Sequence, residues 1–99
     1  MSDKNHYTTW EELLEEYFFA RNLRAATEWS YAKVVKGFLK FTGADITPSM
    51  VTHHEVLRWR RYVLREKQQS AQTWNNKIAH LRALYNYAME SGLLPAGKN

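Results

Sequence analysis

The stretch "SAQTWNNKIAHLRALYNYAMESGLL", residues 70–94, has the pattern of one long helix. Its apolar residues recur at intervals of three and four, which is the spacing of one helix face. These residues are Trp74, Ile78, Leu81, Tyr85 and Ala88. The opposite face carries Gln72, Asn75, Asn76, Ala79, Ala83 and Asn86. Lys and Glu usually cover a face that meets only water, because they favour a helix more than Asn does. The amides therefore mark a candidate binding face.

The composition of the whole chain predicts one small all-helical domain. The 99 residues are 44% hydrophobic and include only 4 Gly and 2 Pro. Strand patterns with alternating apolar residues are missing, and no apolar run approaches the roughly 18 residues of a membrane span. The absence of Cys excludes disulfides and Cys-ligated zinc. We expect a cytoplasmic protein without a membrane partner.

Caps and stops divide the chain into four predicted helices, near residues 9–21, 27–42, 53–68 and 71–91. Thr9 with Glu12, and Thr52 with Glu55, have the spacing of capping boxes. Gly43 and Gly92 are helix stops. The residues expected to be mostly buried are Trp10, Tyr17, Tyr31, Phe38, Trp59, Trp74, Ile78, Leu81 and Tyr85.

Charge is distributed unevenly along the chain. Residues 1–20 contain one lysine and five acids, a net charge of −4, whereas residues 21–99 carry +8. The basic part favours a polyanionic partner. In the acidic part, Phe18 and Phe19 fall partly outside the apolar stripe of the first helix. We expect the next loop to cover them, the alternative being that they dock another domain or chain.

Two further faces carry basic residues. In the second helix Trp29, Lys33, Lys36 and Lys40 form a stripe that can follow a phosphate backbone. An ordinary solvated face, with Trp29 packed on a neighbouring helix, explains the stripe equally well. The third helix carries Arg58, Arg61 and Arg65, for which a solvated face is the preferred interpretation.

The amide-rich start of the fourth helix is best explained by DNA. Asn and Gln offer a donor and an acceptor together, which matches the major-groove edge of adenine. Small Ala79 and Ala83 would let the helix approach, and the helix N-terminus offers amides to a phosphate. Thr73, Lys77 and Arg82 flank this face and can hold phosphates. The alternative is a plain helix surface with no ligand.

The sequence offers no set of catalytic groups. It has no Gly-rich phosphate loop, no HExxH motif, and no nucleophile with a base and an orienting group. His53, His54 and Glu55 are adjacent, so they diverge around a helix and cap it rather than bind a metal. His6 falls in the N-terminal tail, and His80 on the exposed side of the fourth helix. We expect no catalysis, no metal and no cofactor in this chain.

The order of these features resembles the N-terminal core-binding domain of tyrosine recombinases, the phage integrase family. The resemblance is carried by Thr27-x-x-x-Tyr31, then Phe38 and Phe41, then the stretch at 70–94. Matching positions in the last segment and after it are Thr73, Asn75, Ile78, Leu81, Arg82, Leu84, Tyr85, Ala88, Gly92 and Asn99. The acidic first helix cannot be matched residue by residue.

The resemblance implies a four-helix, SAM-like domain whose second and fourth helices face double-stranded DNA. It also implies a C-terminal catalytic domain of the same chain, holding arginines, a lysine, a His-x-x-Arg motif and a tyrosine nucleophile. Other recombinase protomers on DNA are further expected partners, in a bacterial or phage-encoded protein of the nucleoid. We expect a tail at 1–8, the core-binding domain at 9–92 and the start of a linker at 93–99.

The resulting hypothesis is a DNA-binding fragment that clamps duplex DNA at a recombination site. The alternative is a helical protein-interaction module without a DNA function. The DNA-facing residues are expected to be Arg24, Thr27, Trp29, Lys33, Lys36, Lys40, Gln72, Thr73, Asn75, Asn76, Lys77 and Arg82.

Overall fold

The computed structural model describes residues 8–95 and is all-helical over that range. Its four helices are α1 (Trp10–Arg21), α2 (Ala25–Thr42), α3 (His53–Arg61) and α4 (Ala71–Ser91). A 3₁₀ turn (Pro48–Met50) precedes α3, and a π-helical turn (Tyr62–Glu66) continues it. The predicted four-helix class is therefore confirmed. The predicted tail, except Thr8, and the last four residues of the predicted linker lie outside the described residues.

Side chains cap α1 and α3 where the sequence predicts. Thr9 Oγ1 accepts a 3.0 Å hydrogen bond from the Glu12 amide, and the Glu12 carboxylate accepts one from the Thr9 amide. This reciprocal box satisfies two amides at the start of α1. At α3 only half of the predicted box is found among the described contacts. The Glu55 amide donates to Thr52 Oγ1, but the Glu55 carboxylate lies 3.9 Å from Arg58.

Two helix boundaries differ from the prediction. The second helix begins at Ala25, two residues early, because alanine is the strongest helix former and needs no side-chain cap to join the first turn. The third helix leaves α geometry at Tyr62, where the Lys67 amide donates to the Tyr62 carbonyl five residues back. Gln68 then adopts a φ of 53°, which ends the helix before the predicted residue 68.

Aromatic rings join the helices at the centre of the core. The Trp59 ring of α3 lies 4.8 Å from Phe38 of α2 and 5.2 Å from Trp74 of α4, centroid to centroid. Trp10 of α1 packs edge-on against Phe38 and Tyr85 at 6.0 and 5.8 Å. One Trp per outer helix therefore fixes α1 and α3 on the α2–α4 pair.

Three residues expected in the core are only partly buried: Tyr31, Ile78 and Tyr85. The tyrosines lie at the edge because their hydroxyls need polar partners. The Tyr85 hydroxyl donates to the Pro48 carbonyl at 2.6 Å, and burial raises its pKa well above the ordinary value. Ile78 contacts the core but also lines a surface groove.

Ala83 and His80 are less exposed than the sequence predicts for this side of the fourth helix. Ala83 is half-buried, because its short side chain is partly covered by the residues packed around it. The His80 ring lies 4.3 Å from the Tyr31 ring of α2, centroid to centroid, so it belongs to the seam between the two helices.

The two phenylalanines of α1 behave differently. Phe18 packs against Tyr17 and Tyr31 and is partly buried, whereas Phe19 is 90% exposed. The expectation that the next loop covers both is wrong for Phe19. It lies about 200° around the helix from buried Tyr17, and Asn22, in a left-handed conformation, ends the helix without covering it.

Candidate nucleic-acid interface

The predicted stripe on α2 is a continuous exposed face. Trp29, Lys33, Lys36 and Lys40 all reach solvent, and Trp29 is 63% exposed. Packing of Trp29 on a neighbouring helix is thereby excluded. The Lys33 ammonium instead lies 4.7 Å from the centre of the Trp29 ring, in a cation–π contact that holds both side chains at the surface.

The amide face of α4 is exposed as predicted. Gln72, Asn75, Asn76 and Ala79 reach solvent over the first turns of the helix. Their side chains point away from Trp74 and Leu81, which are buried in the core. The face is therefore free of the packing that would otherwise use its donors and acceptors.

The basic stripe and the amide face adjoin at the seam between α2 and α4. Lys77 of α4 is partly buried there, and burial lowers the pKa of its ammonium group. The nearby positive charge of Lys33 on α2 lowers the same pKa further. The two cations therefore lie on neighbouring helices, close enough for their charges to interact. An anion bound near them would relieve this repulsion.

Thr73 and Tyr31 complete this seam. The Thr73 amide donates to Ser70 Oγ at 3.1 Å, and its hydroxyl accepts from Ser70 at 3.0 Å. The Thr73 amide is therefore used by the N-terminal cap of α4. Tyr31 shares a 3.1 Å hydrogen bond with Tyr17, and burial together with this bond raises its pKa to about 12. Its hydroxyl therefore stays protonated to a higher pH than that of an ordinary tyrosine.

The remaining predicted residues are divided among other parts of the surface. Arg24 is the exposed N-cap of α2 and Thr27 is partly buried in its first turn. Lys36 and Lys40, although in the stripe, also line a groove between α1 and α2. Arg82 lies in a groove between α3 and α4. The structure therefore brings Lys33 and Lys77 together but leaves Arg82 on the α3 side of the helix.

Sequence reasoning missed the pairing of Lys33 with Lys77 and the position of His80. Neither has a sequence signal of its own, because each depends on how α2 packs against α4. Among residues 8–95, no three His, Cys, Asp or Glu side chains gather as metal ligands would. Over the same range no helix is both long and apolar enough to cross a membrane.

Comparison with known proteins agrees with this architecture. Residues 10–92 match the family described as "Phage integrase, N-terminal SAM-like domain". The chain belongs to this family. No solved structure matches the chain significantly.

Two curated relatives of this SAM-like integrase domain carry the name tyrosine recombinase XerC. The relative from Pseudomonas aeruginosa is 42% identical over 84 residues, which are 85% of this chain and 19% of that protein. The relative from Pseudomonas syringae is 37% identical over 86 residues, 87% of this chain and 18% of that protein. The chain thus spans about a fifth of the length of the relatives it matches.

Proposed function

We propose that this integrase SAM-like domain binds duplex DNA through α2 and α4 and holds it at a recombination site. The observation that carries the proposal is the pair of cations at the seam. Lys33 and Lys77 come from different helices, and the pKa of Lys77 is lowered by burial and, to a smaller extent, by the positive charge of Lys33. A phosphate group at the seam would offset that cost, and the exposed amides of α4 lie beside it.

The two helices would divide the work of binding. Lysines are point charges that contact phosphate oxygens and carry little information about the base sequence. Lys33, Lys36 and Lys40 would therefore set affinity and orientation. Gln72, Asn75 and Asn76 would read base edges, with adenine as the matching partner. Exposed Ala79 leaves room for the groove wall.

The chemistry of recombination would lie elsewhere in a longer protein. The relatives are tyrosine recombinases by name and about five times as long as the matched region. We propose that a C-terminal catalytic domain cuts and rejoins the strands while this domain supplies binding. A linker would begin after Leu94, because that side chain is buried in the core and the Thr8 hydroxyl donates to the Leu93 carbonyl at 3.2 Å.

Titration with mixed-sequence duplex DNA over a range of salt concentrations tests the proposal. With about four phosphate contacts, the logarithm of the association constant should fall with a slope near −3.6 against the logarithm of salt concentration. Amide shifts in NMR should map to α2 and the start of α4. A flat salt response, or shifts confined to α1, would contradict the proposal.

A protein-interaction role without DNA is the second candidate. It is favoured by Phe19, the most exposed of the large hydrophobic side chains described. The same titration separates the two candidates. If the chain is only a protein-interaction module, the amide shifts of α2 and α4 should not change when DNA is added.

A further inference from the structure

Trp29 is the member of the basic stripe that contacts with phosphate do not explain. It is 63% exposed, although a large aromatic side chain is normally buried or packed against a neighbour. The Lys33 ammonium lies over one face of its indole, 4.7 Å from the ring centre. Because the cation covers that face, the exposed area of the ring is on the opposite face and the edge. A flat aromatic surface therefore projects from α2 beside the lysines.

An aromatic ring beside a row of cations is the combination with which proteins bind unpaired nucleotides. The bases stack on the ring and the cations hold the phosphates. Lys33 lies one turn after Trp29, and Lys36 and Lys40 follow it on the exposed side of α2. A nucleotide carries its base and its phosphate one sugar apart, so Trp29 and Lys33 can hold both parts of the same nucleotide.

A fully paired duplex does not offer a partner for the face of this ring. Each internal base is stacked between its neighbours, and taking it out of the stack costs free energy. An unpaired base has a free face and needs less of this free energy or none. Unpaired bases arise whenever strands are cut and exchanged, because a strand must leave one complement before it pairs with another.

We propose that Trp29 and Lys33 form a binding site for an unpaired nucleotide of DNA. The base stacks on the free face of the indole, and the Lys33 ammonium holds the phosphate. This site rests on the proposed function, since its nucleotide belongs to DNA that lies along the same face of α2. A protein partner fits less well, because an apolar surface that covers Trp29 would also take the Lys33 charge out of water.

Gly37 leaves room for the strand beside this site. It lies one turn after Lys33, in the interior of α2, and is exposed. Glycine is a weak helix former, and packing does not require it here, since a Cβ at this position would meet nothing within 4 Å. The bare backbone allows a nucleotide strand to approach the helix closely.

Three DNA probes test the site: a fully paired duplex, a duplex with one unpaired adenine, and the same duplex with that adenine base removed. The last two probes have the same extra phosphate and differ only in the base. The parent chain should bind the adenine probe about 5- to 150-fold more tightly than the abasic probe. This range corresponds to the roughly 1–3 kcal/mol of one base stacked on an aromatic side chain. Fluorescence anisotropy of the labelled DNA measures all three affinities.

Variants of the ring locate the stacking. Trp29→Ala should lose the preference for the adenine probe and bind the fully paired duplex nearly as the parent does, because the lysines remain. Trp29→Phe should keep part of the preference, because it keeps an aromatic ring. Phe19→Ala is the matched control, since Phe19 is an aromatic residue that is 90% exposed but lies on α1, and it should keep the full preference.

Indole fluorescence reports the stacking itself. The other three tryptophans, Trp10, Trp59 and Trp74, are buried in the core, so Trp29 is the indole that DNA can reach. The adenine probe should quench the emission of the parent more than the abasic probe does. In Trp29→Phe the two probes should have the same effect on the emission.

Two results would overturn the nucleotide site alone. The parent could bind the adenine and abasic probes equally while its salt-dependent binding to the paired duplex persists. Alternatively, the preference for adenine could survive in Trp29→Ala, which would mean that the base is held elsewhere. If none of the three probes binds in a salt-dependent manner, the proposed function and the nucleotide site both fail.

Discussion

The α2–α4 seam and the outer face of α1 are built on one core but have opposite surface chemistry. The seam presents Lys33 and Lys77 beside uncharged amides, whereas α1 presents Glu15, Glu16 and an uncovered Phe19. The buried residues of both regions are aromatic and aliphatic alike. The solvent-facing positions, and not the core, therefore separate two surfaces suited to different partners.

The largest expected effect comes from removing the ring that joins the helices. Trp59→Ala should lower the free energy of unfolding by about 3–5 kcal/mol, because Trp59 contacts both Phe38 and Trp74 and its loss leaves a cavity. Urea denaturation measures the change. Trp29→Ala, at an exposed Trp, should stay within about 0.5 kcal/mol of the parent. Equal losses in the two variants would mean that Trp59 does not hold the two regions together.

A smaller effect is expected at the base-reading side of the seam. Asn76→Ala should cost about 1–3 kcal/mol of binding free energy on the true site if it makes a bidentate base contact, and less on scrambled DNA. Fluorescence anisotropy with cognate and scrambled duplexes measures both. Asn86→Ala is the control, because Asn86 lies on the same helix but lines the groove toward α3. An equal loss of binding free energy on both duplexes would mean that Asn76 contacts phosphates and not bases.

A still smaller effect is expected from the basic stripe. Lys36→Ala should weaken binding to all sequences alike and make the salt slope shallower by about one. Affinities at several salt concentrations, on cognate and scrambled duplexes, give the slope. Glu16→Gln on α1 should leave the slope unchanged. A shallower salt slope in Glu16→Gln would mean that the outer face of α1 also takes part in DNA binding.

The smallest expected effect is the titration of Lys77. Its pKa in the folded chain is below the ordinary value of 10.5, so the unfolded chain binds more protons between the two pKa values. The free energy of unfolding should therefore increase as pH rises through that window. Below the window Lys77 is charged in both the folded and the unfolded chain, so the full cost of burying its charge remains. NMR of the lysine side chain should show the pKa rising in Lys33→Ala and when DNA binds. If neither Lys33→Ala nor DNA binding changes the pKa of Lys77, Lys77 does not interact with Lys33 or with bound DNA.

Helix content and the two candidate faces were predictable because they depend on local spacing. Residues three and four apart share a side wherever the helix lies, so Asn75 and Asn76 are exposed together and Trp74 and Leu81 are buried together. The reciprocal Thr9–Glu12 cap was predictable for the same reason, since its partners are three residues apart.

The four helices, the Thr9–Glu12 cap and the separation of acidic from basic segments could be derived from the sequence, because each follows from residues close together along the chain. Packing between the helices places the charge of Lys33 near Lys77, sets His80 against Tyr31, and turns Arg82 toward α3. It also decided that Phe19 is left uncovered. These outcomes depend on the rotation of each helix against its neighbours, which is set by packing between residues far apart in sequence.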